Sequence, residues 1–248
     1  MELLGKNVVI LGATGGIGRS LAFAFAAKGA NLILTGRRKR ILDALSKEIR
    51  KFSVSVDTFT LDVTKEKEWR PFIRKVESKF GHIDILINSF GVGIYKKLKD
   101  LEIEDFKKSI DVNLNSVFLS IKNFLPLLEK SHKAYVLSLG SGMGKIGVSG
   151  RSSYCASKFG LRGLMLSLAK EYKSTNINFC LLTLGSVLTA FGPLSLEEKI
   201  EKQKKGKGYL DPVSLAKAIA SKIENETLEE EVSIYPSRYF KESKSGVV

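Results

Sequence analysis

Tyr154 and Lys158 stand four residues apart in the run Tyr154-Cys155-Ala156-Ser157-Lys158, which opens a helix-length segment. An i, i+4 pair shares one face of a helix. A free tyrosine ionises near pH 10, about three units too high for acid–base work at neutral pH. An ammonium group beside it stabilises the phenolate and lowers that value, which suits a general acid or base. The spacing alone is weak evidence, because a tyrosine four residues before a lysine is common and usually has no chemical role.

A second chemical feature lies near the N-terminus. Residues 7–11 read as a strand and lead into Gly12-Ala13-Thr14-Gly15-Gly16-Ile17-Gly18, after which a helix begins. Glycines there let the backbone turn tightly and approach a pyrophosphate, whose charge is held by amides at the helix N-terminus. The spacing is Gly-x-x-x-Gly-x-Gly, which departs from the generic Gly-x-Gly-x-x-Gly fingerprint. Glycines also mark plain turns; the position between a first strand and a first helix makes this run informative.

The second strand ends Thr35-Gly36-Arg37-Arg38. Sites for NAD commonly carry an acidic side chain near this point for the ribose 2′-hydroxyl, whereas an arginine accommodates the extra phosphate of NADP. Gly36 offers no side chain, and Arg37 offers a planar fork for a phosphate. A basic run at a helix start opposes the helix dipole. A phosphate partner explains Arg37-Arg38-Lys39-Arg40 better than solvation does, so these residues point to NADP(H). Arg19 reads as an exposed helix residue rather than a phosphate contact.

The elements that must position these residues alternate along the chain. Residues 7–11, 31–35, 54–61, 83–88, 134–139, 177–184 and 231–235 read as strands. Their near-continuous apolar character suits strands covered on both faces. Helices are expected at about 17–28, 39–51, 65–79, 102–130, 154–173 and 212–225, with boundaries good to roughly ±2–4 residues. Such alternation implies an α/β fold with a parallel sheet and helices on both faces. Asp211-Pro212 is a helix start, with Asp as N-cap and Pro as first helical residue. The preceding stretch, 186–210, is a long lysine-bearing insertion of the kind that forms a lid. No repeat or linker divides the chain, so residues 1–248 read as one domain, with a polar tail after Pro236.

Bulk properties narrow the function classes. The chain has 248 residues, enough for one large core and short for two. No apolar run approaches a membrane span, and the N-terminus lacks the pattern of a signal peptide. Two cysteines, Cys155 and Cys180, make no disulfide framework and fit a cytoplasmic setting. His82 and His132 show no metal-ligand spacing, so no metal site is expected. The net charge of +14 invites an anionic partner. The lysines are spread along the chain, however, and no nucleic-acid-binding signature accompanies them.

Taken together, Gly12–Gly18, Asp62 after the third strand, Asn88–Gly91 after the fourth, Asn113, Ser141, Tyr154 and Lys158 resemble the short-chain dehydrogenase/reductase family in order and spacing. The resemblance covers about residues 3 to 235. It implies a Rossmann-type doubly wound parallel sheet of about seven strands. By resemblance, Ser141 would hydrogen-bond a substrate carbonyl or alcohol oxygen and Tyr154 would exchange a proton with it. Lys158 would hold the nicotinamide ribose and lower the Tyr154 pKa, and Asn113 would anchor a water leading from Lys158 to solvent.

For the cofactor the resemblance implies Gly12, Thr14, Gly15, Gly16, Ile17 and Gly18 at the pyrophosphate, and Arg37 and Arg38 at the 2′-phosphate. Asp62 and Val63 would meet the adenine, Asn88 and Ser89 would lie by its ribose, and Gly185, Val187 and Thr189 would lie by the nicotinamide. Ile94, Tyr95, Met143, Ile146, Leu188, Phe191 and Leu194 would line an apolar substrate pocket. The implied activity is NADP(H)-dependent hydride transfer to a small-molecule carbonyl or from a secondary alcohol, in a homodimer or homotetramer. The alternative is a catalytically weak NADP(H)-binding sensor or interaction protein. Three departures bear on the choice. Phe90 stands where the family has Ala, Leu184 where it has Pro, and Gly140 where it commonly has Ser.

Overall fold

The computed structural model describes residues 1–236, so the expected polar tail lies outside the described residues. Seven strands make one parallel sheet: β1 (Asn7–Leu11), β2 (Asn31–Gly36), β3 (Val56–Thr60), β4 (Ile85–Asn88), β5 (Ala134–Ser141), β6 (Ile177–Leu184) and β7 (Glu231–Ile234). Their order is β3-β2-β1-β4-β5-β6-β7. The alternation inside one short run shows why the sheet is covered twice. In β1, Val8 and Ile10 enter one apolar cluster and Val9 and Leu11 the other, all fully buried.

Each cluster belongs to a different layer of helices. Helices α1 (Gly16–Ala26) and α2 (Lys39–Ile49) pack on the first face together with the later helix Pro212–Glu224. On the opposite face lie α3 (Glu66–Phe80), the helical stretch before β5, and the helix after it. There Trp69, Phe72 and Phe124 stack in tilted and edge-on pairs. The doubly wound Rossmann-type fold is therefore present. Strand order reverses between β1 and β4, which opens a crevice above their C-terminal ends.

The helix expected over 102–130 is continuous but not uniform. It consists of α4 (Ile103–Ile110), a π-helical turn over Asp111–Asn115, and α5 (Ser116–Glu129). The Ser116 hydroxyl donates to the Asp111 carbonyl, five residues back, at 2.7 Å. That widened turn carries Asn113, and π-turns inside α-helices often mark functional positions.

Two further helices border the crevice. Helix α6 (Ser152–Glu171) begins two residues before Tyr154. The stretch 186–210 contains a helix the apolar pattern did not reveal, α7 (Leu196–Lys204). It is polar on most sides and starts from a reciprocal capping box between Ser195 and Glu198. Helix α8 (Pro212–Glu224) starts as expected, with the Asp211 carboxylate accepting from the Ser214 amide at 2.7 Å.

Candidate active site

A cleft of about 1210 Å³ runs across the C-terminal ends of the strands, from Arg37 and Asp62 at one end to Tyr95 and Leu194 at the other. Its volume exceeds the ~300–1,000 Å³ of an ordinary small-ligand pocket, leaving room for a dinucleotide and a second small molecule.

The nucleotide end is built by close backbone approach. Gly12 has φ +82°, and a Cβ there would lie 2.9 Å from the Phe90 amide nitrogen. Gly15 is the N-cap of α1 and offers no side-chain cap, and no acidic residue occupies the first turn. The helix N-terminal amides are thus left to an external anion. A Cβ on Gly36 would meet the Thr14 side chain at 2.8 Å, so Gly36 admits Thr14 beside the cleft. Thr35 Oγ1 is buried without a hydrogen-bond partner among the described residues and borders the same space. Burial alone would raise the Asp62 pKa, but bonds from the Thr64 hydroxyl and amide and the charge of Arg37 bring it below the usual carboxylate value. An uncapped helix start, an arginine fork and an acceptor at Asp62 fit a nicotinamide dinucleotide.

At the other end, β5 delivers Ser141 as its last residue, in register with Leu184. Ser141 Oγ accepts from the Met143 amide at 3.2 Å, and its hydroxyl acts to lower the Tyr154 pKa. Tyr154 is buried, flanked by Tyr95 edge-on at 5.4 Å and Phe191 at 6.1 Å. Lys158 Nζ lies 5.8 Å from the Tyr154 ring centroid and donates to the Leu139 carbonyl at 2.8 Å. Burial, with no compensating carboxylate among the described residues, brings the Lys158 pKa down to about 8.

The expected lowering of the Tyr154 pKa is not what this environment gives. Burial pushes the phenol well above its ordinary value, and Tyr95 pushes the same way. The Ser141 bond and the Arg151 charge act in the opposite direction and are outweighed. The phenol is therefore held protonated.

Most of the expected site residues meet in this one cleft, but four do not form its wall. Asn88 is buried between strands and helix, donating to Ser138 Oγ at 3.1 Å and accepting from Ser120 Oγ at 2.7 Å. Its amide is engaged in the core, and the side chain does not border the cleft. Gly16 and Gly18 lie behind the turn. A Cβ at Gly16 would strike the Thr189 methyl at 2.5 Å, and one at Gly18 would strike the Gly12 carbonyl at 2.4 Å. Their missing side chains let the turn close against Thr189 and the Gly12 carbonyl. Asn113 sits behind the wall too. Its Oδ1 accepts from the Val92 amide at 2.8 Å, and its Nδ2 donates to the Val92 carbonyl and to Ser157 Oγ, both at 3.0 Å. Its side chain thus braces the loop after β4 against α6.

The departures from the family pattern also find their places. Phe90 is half-buried, bordering the cleft while packing against the second apolar cluster. Leu184 keeps β6 in the ladder up to Ser141 on one side and Ile234 on the other. Pairing on both edges fixes the backbone where a proline would have fixed it through φ. A Cβ on Gly140 would meet the Leu181 side chain at 3.0 Å. Of the expected pocket residues, Tyr95, Met143, Ile146, Phe191 and Leu194 border the cleft, whereas Ile94 and Leu188 do not. Arg19 pairs with Glu48, as an exposed helix residue should.

The roles of three charged side chains escaped the motif-based reading. Lys199 of α7 is buried and donates to the Thr189 and Phe191 carbonyls, pinning α7 to the loop after β6. Glu231 receives Arg162, Lys145 and Thr183. Arg151 borders the cleft beside Tyr95. Only Arg151 left a readable signal, a cation three residues before Tyr154.

With that geometry in hand, known proteins give the same picture. The family model for short chain dehydrogenase matches residues 6–199. The 3-oxoacyl-(acyl-carrier-protein) reductase of Thermotoga maritima is 33% identical over 189 residues, 76% of this chain and 77% of the relative. The D-beta-hydroxybutyrate dehydrogenase of Rhizobium meliloti is 31% identical over 208 residues, 83% of this chain and 79% of the relative. An alcohol dehydrogenase structure from Thermococcus sibiricus, complexed with 5-hydroxy-NADP, is 29% identical with a TM-score of 0.80, covering 92% of this chain and 95% of that one. The chain belongs to the short-chain dehydrogenase family of nicotinamide-dependent oxidoreductases.

Proposed function

We propose that the protein is an NADP(H)-dependent carbonyl reductase in which Tyr154 exchanges the proton. The observation that carries this reading is the meeting of the Tyr154 phenol, the Ser141 hydroxyl and the Lys158 ammonium at one end of a cleft whose other end holds the glycine turn and Arg37. The cofactor, when bound, supplies the hydride.

The chain's own groups supply position and charge. Ser141 and Tyr154 present two hydroxyls to a substrate oxygen. Burial keeps the phenol neutral, the form that donates a proton as that oxygen gains electrons. The phenolate left behind is stabilised by the Lys158 cation near its ring. Tyr95 and Phe191 shield the reacting group from water. Arg37 and Arg38 receive the 2′-phosphate, and Asp62 and Val63 border the adenine. Residues 186–210 form the lid, held by Lys199. The Thermotoga relative is named for a 3-oxoacyl-(acyl-carrier-protein) and the Rhizobium relative for D-beta-hydroxybutyrate. A ketone or 3-oxoacyl-type substrate is consistent with both.

The test is loss of NADPH absorbance with a panel of ketones, oxo acids and oxoacyl thioesters. Tyr154→Phe lowers turnover by about 10²–10⁴-fold while NADPH still binds. Arg37→Asp shifts the NADPH/NADH ratio of kcat/KM toward NADH by about 10–100-fold, the loss of one or two charge-assisted bonds. Full activity of Tyr154→Phe would refute the mechanism. NADPH binding without turnover across the panel would instead mark a cofactor-binding sensor.

A further inference from the structure

Arg151 is the N-cap residue of α6, three positions before Tyr154, and borders the reacting end of the cleft. Its guanidinium carbon lies 4.5 Å from the centroid of the Tyr95 ring, and the same ring packs edge-on against Tyr154. Tyr95 is thus a shared wall between the arginine and the phenol. The side chain's one polar contact among the described residues is Nη1 donating to the Met143 thioether at 3.4 Å. A thioether is a weak acceptor, and a guanidinium carries five N–H donors.

The other cations of this region are committed or solvated. Arg162 and Lys145 share Glu231. Lys199 is spent on two backbone carbonyls. Lys107, Lys108 and Lys207 border the cleft but are exposed. Arg151 is half-buried, and none of the acids on the cleft wall forms an ion pair with it among the described residues. Asp111 accepts instead from Asn115, and Asp62 from Thr64. A planar fork stacked on an aromatic ring, with its donors unspent and apolar side chains around it, suits a bidentate carboxylate.

Building on the reductase reading, we propose that Arg151 receives a carboxylate of the substrate, so that the protein acts on short oxo acids and the matching hydroxy acids in preference to neutral ketones or thioesters. The redox step is compatible with this. Hydride from the nicotinamide and a proton from Tyr154 convert C=O to CH–OH, and the carboxylate is unchanged, so Arg151 has its partner in both substrate and product. A neutral ester in the same place leaves the guanidinium unpaired, which is how a polar site rejects an analogue.

The test compares straight-chain 3-, 4- and 5-oxo acids with their methyl esters. Turnover with NADPH and calorimetric binding are measured side by side. At the best chain length, kcat/KM for the acid exceeds that for the ester by at least about tenfold, the value of one charge-assisted contact. In Arg151→Met the acid/ester ratio collapses to near one. In Arg151→Lys, which keeps the charge but loses the fork, an intermediate ratio remains. Equal use of acid and ester by the unaltered protein, or an unchanged ratio in a folded Arg151→Met, overturns the proposal. Acid-selective binding that Arg151→Met abolishes, with no turnover of any substrate, refutes the reductase reading and leaves the carboxylate site standing.

Discussion

A Cβ added to Gly144 would lie 2.7 Å from the carbonyl oxygen of Lys158. The short helical turn Gly142–Gly144 that follows Ser141 therefore meets α6 backbone to backbone. This contact sets the distance between the strand end that delivers Ser141 and the helix that carries Tyr154 and Lys158. The obstructing atom is main chain and cannot rotate away. Gly144→Ala therefore forces the two elements apart. Overpacking of this kind costs about 1–3 kcal/mol, and a shift of about 1 Å in a reacting constellation lowers turnover by up to ~10²-fold. Urea denaturation and kcat measured on the same preparation check both effects. A variant equal to the parent in both would mean the turn moves freely.

Much of this arrangement was legible in the chain, for reasons that differ between its parts. The sheet was readable because β1, β2, β4 and β6 are apolar runs buried from both sides, a pattern with few alternatives. Ser141, Tyr154 and Lys158 border one end of a single cleft, a meeting that residue type and spacing along the chain already suggested. The inward turn of Asn88 was not readable, because a motif records where a residue stands in the chain and not where its side chain points. Its amide turns inward to Ser120 and Ser138. Helix α7 left no apolar stripe, since a capping box and the buried stem of Lys199 hold it. The sign of the Tyr154 shift depends on burial, which no local pattern encodes.

Glu231 joins three elements at once. It accepts from Arg162 of α6 at 2.8 Å, from Lys145 after the Ser141 turn at 3.0 Å and from the Thr183 hydroxyl of β6 at 2.7 Å. Burial alone would raise its pKa, but the bonds from Arg162, Thr183 and Lys145 bring it down to about 2. The folded value lies below the unfolded one, so the network stabilises fully above about pH 4.5 and is lost as pH falls toward 2. Glu231→Gln costs about 1–3 kcal/mol at pH 7, after discounting for the solvent that reaches Arg162 and Lys145. Urea melts of both proteins across pH 7 to 3 check this. The gap between them narrows as pH falls, and a gap constant with pH would assign the loss to packing alone.

Lys158 carries the opposite balance between stability and activity. Its ammonium is buried with one carbonyl partner and no carboxylate, and burial brings its pKa from 10.5 to about 8. Between those values the unfolded chain binds more protons than the folded one, so stability rises with pH across that window. At pH 7 the protein instead bears the cost of a buried charge. Lys158→Met removes the charge and nearly conserves volume, so at pH 7 it is more stable than the parent by about 1–2 kcal/mol, although its turnover is lost. The advantage shrinks as pH rises from about 8 toward 10.5, where the parent lysine is neutral in both states. On the proposed mechanism, activity of the parent follows the same group: kcat/KM for NADPH is expected to fall as pH rises through about 8, because the charge that would stabilise the Tyr154 phenolate is then lost. Thermal melts of both proteins at pH 7 and 10, with a pH–rate profile of the parent, measure the two effects separately. A Lys158→Met variant less stable than the parent at pH 7 would show that the bond to the Leu139 carbonyl outweighs the cost of burying the charge.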